Sequence, residues 1–226
     1  MSRMRTRRTA AAAADSPAYL DRQKSIRTAA GEVFREKGFH ATKLQDVAER
    51  AGMDRASLYY YVGSKDDLFR DVVSKAVAAN VSDAEELARL DLPASEKLSR
   101  LFRGLMASFE RDYPFLYVFV QEDPEKLRST LSDGEDPWAV TLDQSERYFS
   151  IVKQIVADGM ESGEIQSVLP PSVVANSLIG MINSSHLWFE PNGLLGAEEI
   201  GTSMARMVLD GLRVARPKDV GRRSSK

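Results

Sequence analysis

Between Leu44 and Leu68 the chain reads LQDVAERAGMDRASLYYYVGSKDDL, two short helical patterns separated by a glycine. Few folds accommodate that spacing. Val47, Ala48 and Ala51 give the first segment an apolar side. Gly52 offers the left-handed residue that ends a helix at little steric cost. Asp54 is placed to cap a second helix that starts at Arg55. Upstream, Thr42-Lys43-Leu44-Gln45 has the spacing of a capping box, with Thr42 as the cap and Gln45 reaching back to the cap amide. A capped helix, a glycine turn and a second capped helix predict a helix-turn-helix, the unit that lays its second helix in the DNA major groove.

Setting the residues of the second helix at about 100° intervals from Arg55 separates two faces. Leu58 and Val62 fall together, facing the preceding helix, while Ala56, Ser57 and Tyr60 lie opposite with Tyr61 at their flank. An amphipathic core edge would also account for three consecutive tyrosines. It would not account for the capped frame around them. Ala56 and Ser57 are short enough to let the backbone close on a groove, Tyr59, Tyr60 and Tyr61 carry hydroxyls suited to phosphate oxygens, and Arg55 suits guanine. Thr42 and Lys43 before the first helix, and Lys65 in the first turn of the following one, complete the predicted DNA-contacting set.

The residues Gly38, Thr42, Asp46-Val47-Ala48, Ala51-Gly52, Ser57-Leu58-Tyr59, Tyr61 and Ser64-Lys65 with Leu68 resemble the DNA-binding domain of the TetR family of bacterial transcriptional regulators, over roughly residues 20–75. Met53 and Val62 depart from the family's usual Val and Phe, exchanges that bear on packing rather than on DNA contact. The resemblance implies an all-α fold of about nine helices, a three-helix head followed by a helical domain for ligand binding and dimerisation. It also implies a homodimer on a palindromic operator of double-stranded DNA, a small hydrophobic effector, and repression as the usual outcome. An activator of the same family, or a DNA-binding protein without an effector, is the alternative.

Charge distribution agrees with a DNA-binding head. Residues 1–75 hold 15 Lys and Arg against 10 Asp and Glu, whereas residues 76–226 hold 16 against 23. Phosphate is attracted to the first part and repelled by the second, so the overall net charge of −2 conceals the relevant asymmetry. Arg3, Arg5, Arg7 and Arg8 mark a basic arm, read either as a solubilising tail or as a minor-groove or phosphate contact. The alanine run behind them is too short for the apolar region of a signal peptide, and no apolar run approaches a membrane span. The absence of Cys excludes disulfides and thiolate metal sites, in keeping with an expected cytoplasmic location. Two histidines, and none of the spacings that mark a nucleophile elbow, a P-loop or a zinc protease, argue against an enzyme; no cofactor or metal is expected.

Helical periodicity continues to residue 212. The expected organisation is a disordered arm at 1–18, the DNA-binding domain at 19–75, an effector and dimerisation domain at 76–215, and a disordered tail at 216–226. Ser16-Pro17 opens the first helix and Gly38 closes it, while Ser64 caps a long fourth helix running to about Leu90. Helices at 95–111, 114–122 and 138–163 match the position of the family's ligand chamber. They supply Met106, Phe109, Tyr113, Phe119, Trp138, Tyr148 and Phe149, residues that serve equally as ordinary core. His186 joins them as a ligand candidate from the run Asn183-Ser184-Ser185-His186, whose polar groups line a pocket, bond across a dimer seam or face water. Helices 172–189 and 197–212 resemble the family's dimerisation pair, with Val174, Leu178, Met181, Ile182, Met204, Met207 and Val208 as candidate contacts. Trp188 to Gly193 and Val208 to Leu212 resemble a subgroup that includes regulators of lipid or acyl-CoA breakdown, which implies a fatty acyl or other apolar effector.

Overall fold

The computed structural model describes residues 16–122 and 138–212, and all regular structure among them is helical. The basic arm, residues 123–137 and the polar tail lie outside the described residues. Nine α-helices are described: α1 (Pro17–Lys37), α2 (Leu44–Arg50), α3 (Arg55–Tyr61), α4 (Lys65–Arg89), α5 (Ala94–Arg111), α6 (Phe115–Gln121), α7 (Ala139–Glu161), α8 (Pro171–Asn183) and α9 (Ala197–Leu212). A single 3-10 turn, Ser184–Leu187, extends α8. No helix among the described residues is long and apolar enough to cross a membrane. The chain divides into two compact units, residues 1–78 with 109–142, and residues 79–108 with 143–226.

The first unit is built around aromatic rings. α1 begins at Ser16, whose hydroxyl accepts the Tyr19 amide, followed by Pro17 with its preset φ. Its stripe Ile26, Ala29, Ala30, Val33 and Phe34 is buried, as the helical period requires. Phe34 meets Phe39, Phe69 and Phe115 at centroid distances of 5.4, 5.8 and 5.8 Å, each near edge-to-face. Phe69 continues the cluster to Trp138 at 5.5 Å, and Trp138 to Phe119 at 6.0 Å. Such offset arrangements add about 0.5–1.5 kcal/mol per pair to the burial itself. α6 can lie this close to α1 because residue 31 is glycine: a Cβ there would sit 2.6 Å from Pro114 Cδ.

The second unit packs α5, α7, α8 and α9 through Leu98, Leu101, Phe102, Leu105 and Met106 with Val152, Ile155, Val156, Val174, Leu178, Ile182, Ile200 and Met204. Two glycines allow close approach. Gly159 on α7 abuts Ala94 and Ile165, and Gly201 on α9 faces the backbone of Phe102 and Arg103, where a Cβ would stand 2.9 Å from the Phe102 carbonyl.

α8 ends at Asn183, six residues short of the helix expected to 189. The polar run Asn183 to His186 is the reason. The Ser184 hydroxyl donates to the Met181 carbonyl at 2.8 Å, and His186 Nδ1 lies 2.8 Å from the Asn183 carbonyl. Side chains that bond their own backbone compete with the helical ladder and end it.

Candidate nucleic-acid interface

α2 is fixed on α1 by charge as well as by the buried Val47 and Ala48. Arg50 bridges Glu32 at 2.9 Å and Glu36 at 2.6 Å, while Lys37 meets Asp46 at 2.6 Å. Arg50 holds the Glu36 carboxyl below its ordinary range, and Lys37, followed by the Lys43 amide, does the same for Asp46. Exposed pairs of this kind contribute little individually, but one guanidinium shared by two carboxylates sets an orientation.

The capping expected from Thr42 and Gln45 is replaced by another arrangement. Lys43 occupies the cap position, and Asp46 accepts its amide at 2.8 Å. Thr42 is buried at 3% exposure, and its hydroxyl donates to the Gly38 carbonyl at 2.8 Å. Asp46 stands at the same three-residue spacing from Lys43 as Gln45 does from Thr42, and its charge makes it the better acceptor. Gln45 is left exposed, bonded to Glu49.

The turn into α3 follows the expected chemistry. Gly52 adopts φ 63°, the left-handed region favoured by glycine, and its neighbour Met53 donates back to the Ala48 carbonyl. Asp54 accepts the Ser57 amide at 2.9 Å and also its hydroxyl, which together hold the Asp54 carboxyl below its ordinary range. Leu58 is fully buried against the head. Val62, expected beside it, is half-buried and leaves the helix in an extended conformation.

Arg55, Ala56, Ser57, Tyr59 and Tyr60 are exposed, Tyr60 at 65%. Tyr61 turns inward instead: its ring lies 5.0 Å from that of Tyr19 on α1 and is half-buried. Tyr60 touches the same Tyr19 edge-on at 6.3 Å, so the exposed tyrosine is braced from below. Arg55 donates to the Tyr59 hydroxyl at 3.0 Å, with its guanidinium carbon 5.4 Å from the Tyr59 ring centre.

Ser64 caps α4 by accepting the Asp67 amide at 3.0 Å while donating to the Asp67 carboxylate at 2.7 Å. Lys65, in the first turn, is half-buried, and its ammonium donates to the Phe39 carbonyl at 2.8 Å. Lys43, Leu44, Gln45, Arg55, Tyr59, Gly63, Ser64 and Lys65 together line a groove of about 310 Å³. Three cations on one groove, with hydroxyl and amide donors between them, suit a chain of phosphates. Gln45 and Ser64 stand in the groove outside the DNA-contacting set that the sequence predicts. Gln45 reads there as a capping partner and Ser64 as a cap, and nothing local places them beside Arg55.

Phe109, Tyr113, Phe119 and Trp138 belong to the first unit, where Phe109 stacks on Tyr117 at 4.4 Å and Tyr113 meets Tyr117 at 5.8 Å. Met106, Tyr148, Phe149 and His186 belong to the second, with Met106 fully buried. Burial, and secondarily the charge of Asp83, push the Tyr148 hydroxyl above its ordinary range. Among the candidate dimer contacts, Val174, Leu178, Ile182 and Met204 are buried in their own subunit's core. Met181 and Val208 are half-buried, and Met207 is 70% exposed.

A helical head with a capped helix-turn-helix, an outward polar-aromatic face and a cationic groove defines a DNA-binding regulator. The chain matches the tetR family of bacterial regulatory proteins over residues 26–72 and the tetracyclin repressor-like C-terminal domain over residues 91–212. It belongs to the TetR family, whose members are DNA-binding regulators of transcription rather than enzymes. Among its relatives is the HTH-type transcriptional repressor KstR2 of Mycolicibacterium smegmatis, 25% identical over 202 residues, covering 88% of this chain and 95% of the relative. The TetR family regulator PfmR of Thermus thermophilus is 26% identical with a TM-score of 0.69, covering 84% of this chain and 99% of that one. FadR of Bacillus subtilis, solved with stearoyl-CoA, shares the fold at 21% identity and a TM-score of 0.58, over 84% of this chain and 99% of its own.

Proposed function

We propose that this protein is a repressor that binds a palindromic operator as a homodimer and is released by a small apolar effector of the fatty acyl or acyl-CoA class. In this reading residues 19–75 carry the DNA contacts, residues 76–215 hold the effector and the dimer surface, the segment 1–18 is an arm whose end enters α1 at Pro17, and 216–226 is a tail. The observation that carries the DNA role is the exposed face Arg55, Ala56, Ser57 and Tyr60 on a helix held by a buried Leu58. Lys43, Arg55 and Lys65 supply the phosphate and base contacts, while Thr42 and Tyr61 act by fixing the backbone beneath them.

Dimerisation follows from the number of bases one short helix can read; a two-fold pair presents two recognition helices about one DNA turn apart. Leu187, Trp188, Leu194, Leu195 and Met207 are large apolar side chains exposed on the second unit, and they supply area for such a pair. The effector class is supported by the stearoyl-CoA bound to FadR and by the resemblance of Trp188 to Gly193 and Val208 to Leu212 to a subgroup that includes regulators of lipid or acyl-CoA breakdown. Release is a matter of linkage: a ligand that prefers the state with misplaced recognition helices weakens DNA binding by the same factor that DNA weakens the ligand.

The test is selection of duplexes from a randomised pool by the purified full-length protein, followed by titration with and without stearoyl-CoA. A palindromic consensus bound by a dimer, and weakened on adding the ligand, is the expected result. Binding that ignores sequence, or a protein monomeric at micromolar concentration, would overturn the reading.

A further inference from the structure

Arg55 and Tyr59 stand one turn apart on the exposed side of α3, and both line the groove. Their side chains are joined by the 3.0 Å hydrogen bond to the Tyr59 hydroxyl and by the approach of the guanidinium to the ring. We propose that Tyr59 is a positioning residue for base readout: it holds the Arg55 guanidinium so that its remaining donors meet one guanine, and thereby sets the preference for G·C at a single position of each half-site. The assignment rests on the DNA-binding reading above.

A free arginine side chain carries considerable rotamer entropy, and bidentate recognition of guanine O6 and N7 requires the planar fork to be held in one orientation. Of five N–H donors, the contact with Tyr59 takes one and leaves enough for a bidentate pair. Spacing contributes as well, since residues at i and i+4 share a helix face, so Tyr59 can restrain Arg55 without standing between it and the groove. Tyr59 accepts from Arg55 and keeps its own hydroxyl proton, which on DNA would have a phosphate oxygen as acceptor. One hydroxyl can therefore accept from Arg55 and donate to the DNA backbone, tying base readout to register.

The experiment uses the full-length protein, the duplex selected from a randomised pool, and single-base-pair variants of that duplex across the half-site. Tyr59→Phe keeps the ring and removes the acceptor. It is expected to lower discrimination about three- to tenfold at one base pair, the one whose discrimination is abolished by Arg55→Lys. Discrimination elsewhere, the salt dependence and the melting temperature should stay unchanged. Combining Tyr59→Phe with Arg55→Lys should add nothing further at that base pair. A loss of affinity equal on every duplex, with discrimination unchanged at each base pair, would overturn the proposal in favour of a simple phosphate contact, and additive effects or no effect on either would overturn it outright. Arg55→Lys alone keeps the question decidable if Tyr59→Phe folds poorly, since unaltered base preference there removes the guanine contact. A wild-type protein that binds every duplex alike would refute the underlying DNA reading, a result distinct from the even loss in the variant.

Discussion

The Lys65 ammonium donates to the Phe39 carbonyl at 2.8 Å and lies 4.4 Å from the centre of the Phe39 ring. The first turn of α4 is thereby fastened to the connection between α1 and α2, and a groove cation is held by the head's aromatic core. Lys65→Met keeps the stem and removes the charge. It should weaken binding to all duplexes alike and lessen the salt slope by about one. It should also lower the melting temperature, because the Phe39 carbonyl loses its donor. Affinity measured over a salt series, with thermal denaturation, separates the two effects.

Gly31 is required for the approach of α6. A Cβ at that position would stand 2.6 Å from Pro114 Cδ and 3.2 Å from the Phe115 ring, both held by surrounding packing. Gly31→Ala should destabilise the protein by about 1–3 kcal/mol. Gly104 on α5 has nothing within 4 Å of the same point, so Gly104→Ala should be neutral or stabilise by up to about 1 kcal/mol. Chemical denaturation of both variants tests the contrast; equal effects would show that α6 yields easily.

Phe69 is fully buried and joins Phe39 at 4.4 Å to Trp138 at 5.5 Å. Its truncation to alanine removes the centre of the cluster. A loss of about 3–5 kcal/mol is expected from transfer and cavity terms together.

Acid should loosen the caps of α3 and α4. The Ser57 hydroxyl and amide hold Asp54 below its ordinary value of 3.8, and the Ser64 hydroxyl, with Arg70, does so for Asp67. A depressed carboxyl contributes stability that is present above the unfolded value and is lost as pH falls through the folded one. The melting temperature should therefore decline below about pH 4, and less steeply in Asp54→Asn, which caps without titrating. Identical pH profiles would remove Asp54 from the account.

Trp188 is half exposed and Met207 more so. Trp188→Asp and Met207→Glu should each weaken self-association about tenfold or more while leaving the monomer folded. Sedimentation across a concentration series reads the result, and a dimer indifferent to both would place the interface elsewhere.

Much of the head was legible because its signals are local. Ser16 with Pro17, Asp54 with Ser57, and Gly52 act over three or four residues, so their consequences do not depend on the rest of the fold. The outward placement of Ala56, Ser57 and Tyr60 followed from helical period alone. Tyr61 escaped that reasoning. Which tyrosine turns inward depends on where Tyr19 of another helix stands, some 42 positions away in sequence. Thr42 likewise looked like a cap by spacing, yet the Gly38 carbonyl offered its hydroxyl a buried partner and Asp46 took the amide.

The sequence by itself determined that the protein is helical, that it carries a helix-turn-helix near its start, and that the cations concentrate there. Periodicity and turn chemistry are properties of neighbours along the chain. Tertiary structure decided the rest: that Phe119 and Trp138 pack with Phe69, that Val174 and Leu178 are enclosed while Trp188 is open, and that Lys43, Arg55 and Lys65 share one groove. An apolar helix face records only that something covers it. Which element does so is settled by the packing of residues far apart in the chain.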